Sequence, residues 1–163
     1  MNDLDAHAGT HLRRAVALAD DAGAQGNRPF GAVAVSASGA VVAEGLNTAT
    51  TSGDPTAHAE LVAIRAAWLA GAIGALDGAT MYASGEPCPM CAAAMVWAGI
   101  GRIVFAASAR DFGAILTGGP EFHLTCAEVI ATSDAAVEVS GPHLGSEALA
   151  PFHRFVAGAA DQS

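Results

Sequence analysis

The sequence predicts one α/β domain in which helices cover both faces of a mixed β-sheet. Three observations support this fold class. A helical pattern opens the chain, a β-hairpin pattern follows it, and helical and strand patterns then alternate towards the C-terminus. The length of 163 residues suits a single domain, and neither an internal repeat nor a low-complexity tract divides it.

The first half of the chain carries the helix, the hairpin and a second helix. Apolar residues recur at helical spacing behind Thr10, a residue type that commonly caps helices. Ser38 and Gly39 separate two β-rich runs and predict the hairpin turn, and Gly71 ends the second helical pattern. The predicted elements are a helix, two strands, a loop and a helix, over residues 10–23, 30–37, 40–46, 48–56 and 57–70.

The second half repeats the strand and helix rhythm. A glycine-rich stretch interrupts it after residue 107, where the sequence predicts no element until a final strand and helix. Pro151 lies within that last helix, so the helix is either kinked or begins there. The predicted elements are a strand, a helix, two strands and a helix, over residues 79–83, 89–98, 102–107, 137–140 and 147–157.

The charge balance argues against a nucleic-acid partner. The chain has sixteen acidic residues and seven basic ones, all arginine, so its net charge is −9 and its pI is near 4.8. Such a chain repels phosphate backbones, whose neutralisation supplies much of the affinity of nucleic-acid binders. No apolar run approaches the roughly 20 residues of a membrane span, and residues 1–5 do not resemble a signal peptide. We therefore expect a cytoplasmic protein with neither a membrane nor a nucleic-acid partner.

Two short motifs indicate a metal site. His58 and Glu60 stand where one predicted helix opens, and Cys88 and Cys91 stand where another opens. Zinc prefers imidazole and thiolate ligands, and a catalytic zinc has three protein ligands and one open position. The Cys-x-x-Cys spacing at a helix start lets both sulfurs reach one ion, and the positive end of the helix favours thiolates. His58, Cys88 and Cys91 are thus the predicted ligands of one Zn²⁺ per subunit.

Glu60 is better suited to acid–base chemistry than to metal binding. Two residues from His58, it can take a proton from water activated by the metal and deliver it to a leaving amine. The alternatives are a surface carboxylate for Glu60 and a structural metal or simple thiol pair for the motifs. A structural zinc site would normally include a fourth Cys or His, and the sequence offers none close by. Cys126, alone in an apolar context, is interpreted as a packed core thiol.

These motifs resemble the cytidine-deaminase-like superfamily of zinc deaminases. Within it the chain is most similar to the bacterial guanine deaminases. The similarity covers most of residues 10–107, and a short tail at 147–152 is also similar. The similarity is carried by Trp97 and by four segments, residues 29–33, 44–47, 50–60 and 86–91.

The resemblance implies a three-layer α/β/α fold with a central mixed five-stranded sheet, and hydrolytic deamination of a free nucleobase. It implies a homodimer in which the C-terminal segment, about residues 141–163, is exchanged between subunits. It also implies roles for single residues. The matching residues are the ligands His58, Cys88 and Cys91, the proton shuttle Glu60, and the base contacts Phe30, Asn47, Ala59, Trp97, Glu121 and Glu147.

The chain departs from guanine deaminases in one loop. Those enzymes place an acid there to hold the purine edge, but residues 116–122 have none at the ungapped position, and Glu121 substitutes only if the loop shifts by two residues. Smaller rings such as cytosine, 5-azacytosine and ammeline are therefore alternative substrates. Rival functions are tRNA adenosine editing, nucleoside or nucleotide deamination, and a zinc-stabilised binding module.

Several of the base contacts also have a purely structural interpretation. Phe30 and Trp97 could be core aromatic residues, and Asn47 could be a turn residue. Glu147 could be an acid that stabilises the first turn of the last helix.

Overall fold

The computed structural model describes residues 4–160, which form a five-stranded sheet with helices on both faces. The strands are β1 (Gly31–Val35), β2 (Val41–Leu46), β3 (Thr80–Gly85), β4 (Arg102–Ala107) and β5 (Glu138–Ser140). The helices are α1 (Ala6–Ala24), α2 (Ala49–Ser52), α3 (Ala59–Leu69), α4 (Pro89–Trp97), α5 (Ala109–Ile115), α6 (Cys126–Ala131) and α7 (Ser146–Ala160), with a 3₁₀ turn at Ile73–Leu76. The predicted fold class is confirmed.

The sheet is mixed, with strand order β2-β1-β3-β4-β5. β1 pairs antiparallel with both β2 and β3, whereas β3, β4 and β5 run parallel. The amino end of β1 therefore lies beside the carboxyl ends of β2, β3 and β4. This arrangement gathers the residues just outside four strands at one edge of the sheet, where ligands of open α/β sheets commonly bind.

Two hydrophobic layers follow from the alternation of side chains along the strands. Val33 and Val104 face α1, α5 and α7, whereas Ala32, Met81 and Ile103 face α3, α4 and α6. Every residue of β1 is buried, because helices cover this strand on both faces.

Two glycines allow the helices to approach the sheet closely. A Cβ atom on Gly31 would overlap the Ala15 carbonyl oxygen of α1. On the neighbouring strand, a Cβ atom on Gly45 would overlap the Ala59 carbonyl oxygen of α3 and lie 2.6 Å from the Ala63 nitrogen. The second contact holds the start of α3, and with it His58, against the end of β2.

The structure differs from the sequence prediction in three main places. Within the predicted loop at 48–56, residues Ala49–Ser52 form the one-turn helix α2, which a hydrogen bond from the Ser52 amide to the Thr48 carbonyl closes. Helix α1 begins four residues earlier than expected, because Asp5 accepts a hydrogen bond from the Ala8 amide and caps it, while Thr10 lies inside the helix. In the glycine-rich stretch, Ser108 caps α5 and Thr125 opens α6 with a complete capping box. Both caps are visible in the sequence, but the short helices behind them lack a clear apolar period.

The C-terminal helix α7 packs on α1 of its own chain and places Phe152 in the core. Exchange of this segment between subunits stays a prediction, and its last residues, 161–163, lie outside the described part. Of the described helices, none has the length and apolar character that a bilayer crossing requires.

We predict that Gly45→Ala destabilises the protein by about 3 kcal/mol, because the added methyl group meets helix backbone that cannot move aside. Chemical denaturation monitored by circular dichroism measures the change. Gly113→Ala is the matched control, since the new methyl group meets no atom within 4 Å and replaces a glycine inside a helix. Equal stability of the two variants would contradict the close contact of α3 with β2.

Candidate metal centre

Three metal-ligating side chains meet at the sheet edge that gathers the strand ends. His58 is the N-cap of α3, Cys88 is the N-cap of α4, and Cys91 lies in the first turn of α4. Pro89 occupies the first position of α4, where the missing amide hydrogen costs no helical bond. The two helices therefore begin at one point and bring together ligands that are thirty residues apart in sequence.

The ligand atoms lie at the separations that zinc requires. His58 Nδ1 is 3.6 Å from Cys88 Sγ and 3.6 Å from Cys91 Sγ. All three ligand atoms lie within 4.8 Å of one another. In a tetrahedron with zinc–sulfur bonds of about 2.3 Å and a zinc–nitrogen bond of about 2.0–2.1 Å, the nitrogen–sulfur separation is about 3.6 Å. Donor chemistry and geometry thus both fit one zinc ion with an open fourth position.

Electrostatics at the cluster favour one thiolate, on Cys88, whereas its hydrogen bond with Cys88 and burial raise the pKa of the Cys91 thiol. Hydrogen bonding from the Cys91 thiol, with a further contribution from His58, lowers the pKa of Cys88 to about 4. The hydrogen bond with Cys88 raises the pKa of the His58 ring, while burial and the positive charge of Arg28 oppose that rise. A sulfur that is already a thiolate releases no proton when a metal binds.

Glu60 lies in the first turn of α3 and is only 6% exposed. Burial raises the pKa of its carboxyl group, and interaction with the Cys91 thiol and the His58 charge opposes the rise. A carboxyl group with a raised pKa exchanges protons more readily near neutral pH than a solvated one. The arrangement therefore places a potential proton carrier directly beside the three ligand atoms.

Asn47 and Ala59 lie at the ends of elements that border this centre. Asn47 is 3% exposed, its backbone amide donates to the Phe30 carbonyl, and its Oδ1 accepts from the Ala49 amide. This hydrogen bond to Oδ1 is the one expected if Asn47 is a turn residue. Ala59 is buried as the first residue of α3, and its amide has no acceptor among the described residues, as helix starts leave their first amides unpaired.

Phe30 belongs to a cluster of three aromatic rings at the same edge. Its centroid is 5.2 Å from that of Phe112 and 5.3 Å from that of Phe152, both in edge-on arrangements. Gly85 makes room for the cluster, since a Cβ atom there would lie 2.8 Å from the Phe30 ring and 3.1 Å from the Phe112 ring. Phe30 is therefore half-buried at this edge rather than fully buried in the core, and its contact with a base stays a prediction.

Three of the predicted base-contact residues lie away from the metal-ligand cluster in the single chain. Trp97 is 90% exposed at the last position of α4, because the buried face of that helix carries Cys91, Ala92 and Met95. Glu121 is exposed in the loop between α5 and α6. Glu147 forms an ion pair with Arg13, its Oε1 2.9 Å from Nε, in the first turn of α7. Trp97, Glu121 and Glu147 therefore stay predictions as base contacts, since the single chain does not bring their side chains to the ligand cluster.

Sequence reasoning assigned no role to two residues that the structure places near the centre. Arg28 is exposed, with its guanidinium carbon 5.9 Å from the centroid of the Phe30 ring. Glu86 precedes the Pro-Cys pair and bonds the backbone of two helices. Only its position inside the cysteine motif could have signalled Glu86, since a carboxylate alone does not reveal distant amide partners.

Comparison with known proteins places the chain in a family. The family described as the cytidine and deoxycytidylate deaminase zinc-binding region matches residues 6–107. The chain is 50% identical to a guanine deaminase of Bacillus subtilis over 105 residues, which cover 63% of this chain and 65% of that protein. It is 42% identical to a tRNA-specific adenosine deaminase of Haemophilus influenzae over 112 residues, covering 69% of this chain and 63% of that protein.

The fold is shared with a solved guanine deaminase of Nitrosomonas europaea. The TM-score is 0.77 at 25% identity, covering 93% of this chain and 85% of that one. The matches to the Bacillus and Haemophilus proteins span somewhat less than two thirds of those proteins. The matching family is a zinc-binding one, and His58, Cys88 and Cys91 lie close enough together to hold a metal ion. The prediction of zinc as cofactor is therefore confirmed.

We predict one tightly bound zinc per chain, lost on His58→Ala or Cys88→Ala because each change removes one of three ligands. Atomic absorption after dialysis against a weak chelator measures the stoichiometry. Cys126→Ala is the control and should keep its zinc, since burial raises the pKa of that thiol to about 12 and it lies outside the ligand cluster. Zinc retained by the His58 and Cys88 variants would contradict this assignment.

Proposed function

Because the chain belongs to the cytidine and deoxycytidylate deaminase family, we propose that it catalyses hydrolytic deamination of a free nucleobase, with guanine as the first candidate. The observation that carries the proposal is the buried Glu60 beside three ligand atoms at tetrahedral spacing. The reaction adds water to an amino-substituted ring carbon and releases ammonia, leaving an oxo group on the ring.

Each residue of the centre has a part in this reaction. Zinc held by His58, Cys88 and Cys91 would supply a nucleophile at neutral pH by acidifying water. Glu60 takes a proton from the attacking water and delivers it to the ring nitrogen beside the attacked carbon. It then takes the proton of the newly added hydroxyl group and passes it to the leaving amine, so that ammonia departs and the oxo group remains. The Phe30 ring packs against the face of the base. The Ala59 amide and the Asn47 side chain offer hydrogen bonds to the ring edge.

Guanine is favoured over smaller rings by similarity. The Bacillus relative is a guanine deaminase at 50% identity, and the solved Nitrosomonas structure is a guanine deaminase. The exposed loop at Glu121 leaves cytosine, 5-azacytosine and ammeline as the alternative substrates. A site that pairs buried polar groups with one ring edge rejects bases that lack the matching groups, so a direct comparison of bases decides among them.

The surface charge supports a free base over tRNA. Five of the seven arginines are in ion pairs with carboxylates within the described residues: Arg13, Arg14, Arg65, Arg102 and Arg154. A paired guanidinium is already neutralised, so few cations remain to contact phosphates in a chain of net charge −9. A neutral base experiences no such repulsion. We therefore propose a small-molecule substrate, although tRNA deaminases are among the relatives.

We predict that the zinc-loaded protein releases ammonia from guanine, and that Glu60→Gln lowers kcat at least about 100-fold because the proton carrier is lost. Guanine, cytosine, 5-azacytosine, ammeline, cytidine and an adenosine-containing tRNA stem-loop are tested separately by an ammonia assay. The zinc content of the variant is the control, since Glu60 is outside the ligand set.

Each outcome of this assay has a definite meaning. Turnover of cytosine or a triazine alone would transfer the proposal to a smaller ring, and turnover of the stem-loop alone would refute the charge argument. An inactive protein that binds zinc and unfolds when zinc is removed would instead be a zinc-stabilised module. Full activity in Glu60→Gln would refute the proton-transfer role.

We further propose that the chain forms a homodimer through the layer of helices that carries the metal ligands. Trp68 is 64% exposed and Trp97 is 90% exposed, and with Leu69 they stand at the far ends of α3 and α4. Aromatic side chains are enriched at the centres of interfaces. A partner over these helices would bury Trp97, which has no such environment within its own chain.

We predict that Trp97→Glu shifts the protein from dimer to monomer, because a charge would replace a large apolar side chain at the interface. Size-exclusion chromatography with light scattering measures the mass. Val156→Glu is the control, since Val156 is also partly exposed but lies on α7 in the opposite layer. A dimer retained by Trp97→Glu and lost in Val156→Glu would place the interface on the other layer.

A further inference from the structure

Glu86 links three segments of the protein at the end of β3. Its Oε2 accepts a hydrogen bond from the Ala109 amide at 3.0 Å, and its Oε1 accepts one from the Cys126 amide at 3.0 Å. Its own amide donates to the Ala107 carbonyl at 2.7 Å. One half-buried side chain thus ties the cysteine-bearing loop to the starts of α5 and α6.

The two donors need a partner from outside their helices. The first amides of a helix have no acceptor within it, and the local caps satisfy later positions instead. Ser108 accepts from the Asp111 amide, and Thr125 accepts from the Glu128 amide. Ala109 and Cys126, each the first residue of its helix, therefore depend on Glu86. A carboxylate is well suited to this place, because both helices direct their positive ends at it.

The link continues to the aromatic cluster. Helix α5 carries Phe112, whose ring meets Phe30 edge-on at 5.2 Å and stacks on Phe152 at 5.4 Å. Gly85, directly before Glu86, is the residue against which the Phe30 and Phe112 rings pack. The position of α5 therefore sets the position of the Phe30 ring relative to the cysteine loop.

We propose that Glu86 is a positioning residue, which holds α5 and α6 against the cysteine loop and thereby fixes the Phe30 wall at the distance a bound base requires. The assignment of Phe30 as a base contact rests on the proposed function. Glu86 itself touches neither the base nor the metal in this scheme. Its effect is transmitted through the start of α5 and the Phe112 ring.

Glu86→Gln tests the proposal with little change of shape. The amide side chain keeps one acceptor oxygen but turns an NH₂ group towards the other backbone amide, which leaves that donor unpaired. We expect KM for the base to rise about tenfold while kcat changes less than about twofold, since the lost interaction serves binding rather than proton transfer. Zinc content should remain one per chain.

Glu128→Gln is the matched control. Glu128 also accepts from a helix-start amide, that of Thr125 at 2.7 Å, but it does so within α6 and does not reach the cysteine loop. A purely structural role for Glu86 would lower the melting temperature in both variants and leave KM unchanged in both. That result would overturn the proposal, as would a loss of zinc in Glu86→Gln.

A second measurement does not depend on turnover. In Glu86→Gln we expect changes in amide hydrogen exchange at Ala109 and Cys126 and in the NMR signals of the Phe30 and Phe112 rings. In Glu128→Gln we expect no change in exchange at Ala109 or in the two ring signals. If the wild-type protein deaminates no base, the proposed function fails, yet these signals still test the positioning. Unchanged exchange and ring signals in Glu86→Gln would refute it.

Discussion

The centre depends on one geometric requirement: two helices must begin at the same point. A metal with three protein ligands cannot be held by side chains from one short segment here, because His58 and the two cysteines are separated by thirty residues. The fold meets the requirement by placing the ends of β2 and β3 on either side of β1. Each helix then starts at the same sheet edge, and the ligands come from its N-cap or first turn.

Much of the surrounding structure serves this meeting point. Gly45 lets α3 approach β2 closely enough to place His58, and Pro89 begins α4 without loss of a helical bond. Gly85 admits two phenylalanine rings beside the cysteines, and Glu86 anchors the helices beyond them. These four residues carry no chemistry of their own. They fix the distances among the three ligand side chains, Glu60 and the aromatic rings.

The sequence predicted the local features well, and the reason is physical. Strand and helix periods, turn residues and the paired motifs all act over a few neighbouring residues, so β4 was predicted to the residue and the α4 start was predicted at Pro89. Features that depend on a distant partner could not be predicted in this way. The exposure of Trp97, the Arg13 partner of Glu147 and the two amides held by Glu86 depend on how helices pack, which no local pattern contains.

The exposure of both tryptophans gives the protein an unusual optical property. The chain has two tryptophans, and both stand at the outer ends of helices, whereas its one tyrosine, Tyr82, is buried. Fluorescence excited in the indole band therefore comes from side chains that the core does not shield. The emission wavelength and the quenching by iodide depend on what covers the ends of α3 and α4. The emission therefore reports association of chains over these helices more directly than it reports folding of the sheet or metal binding.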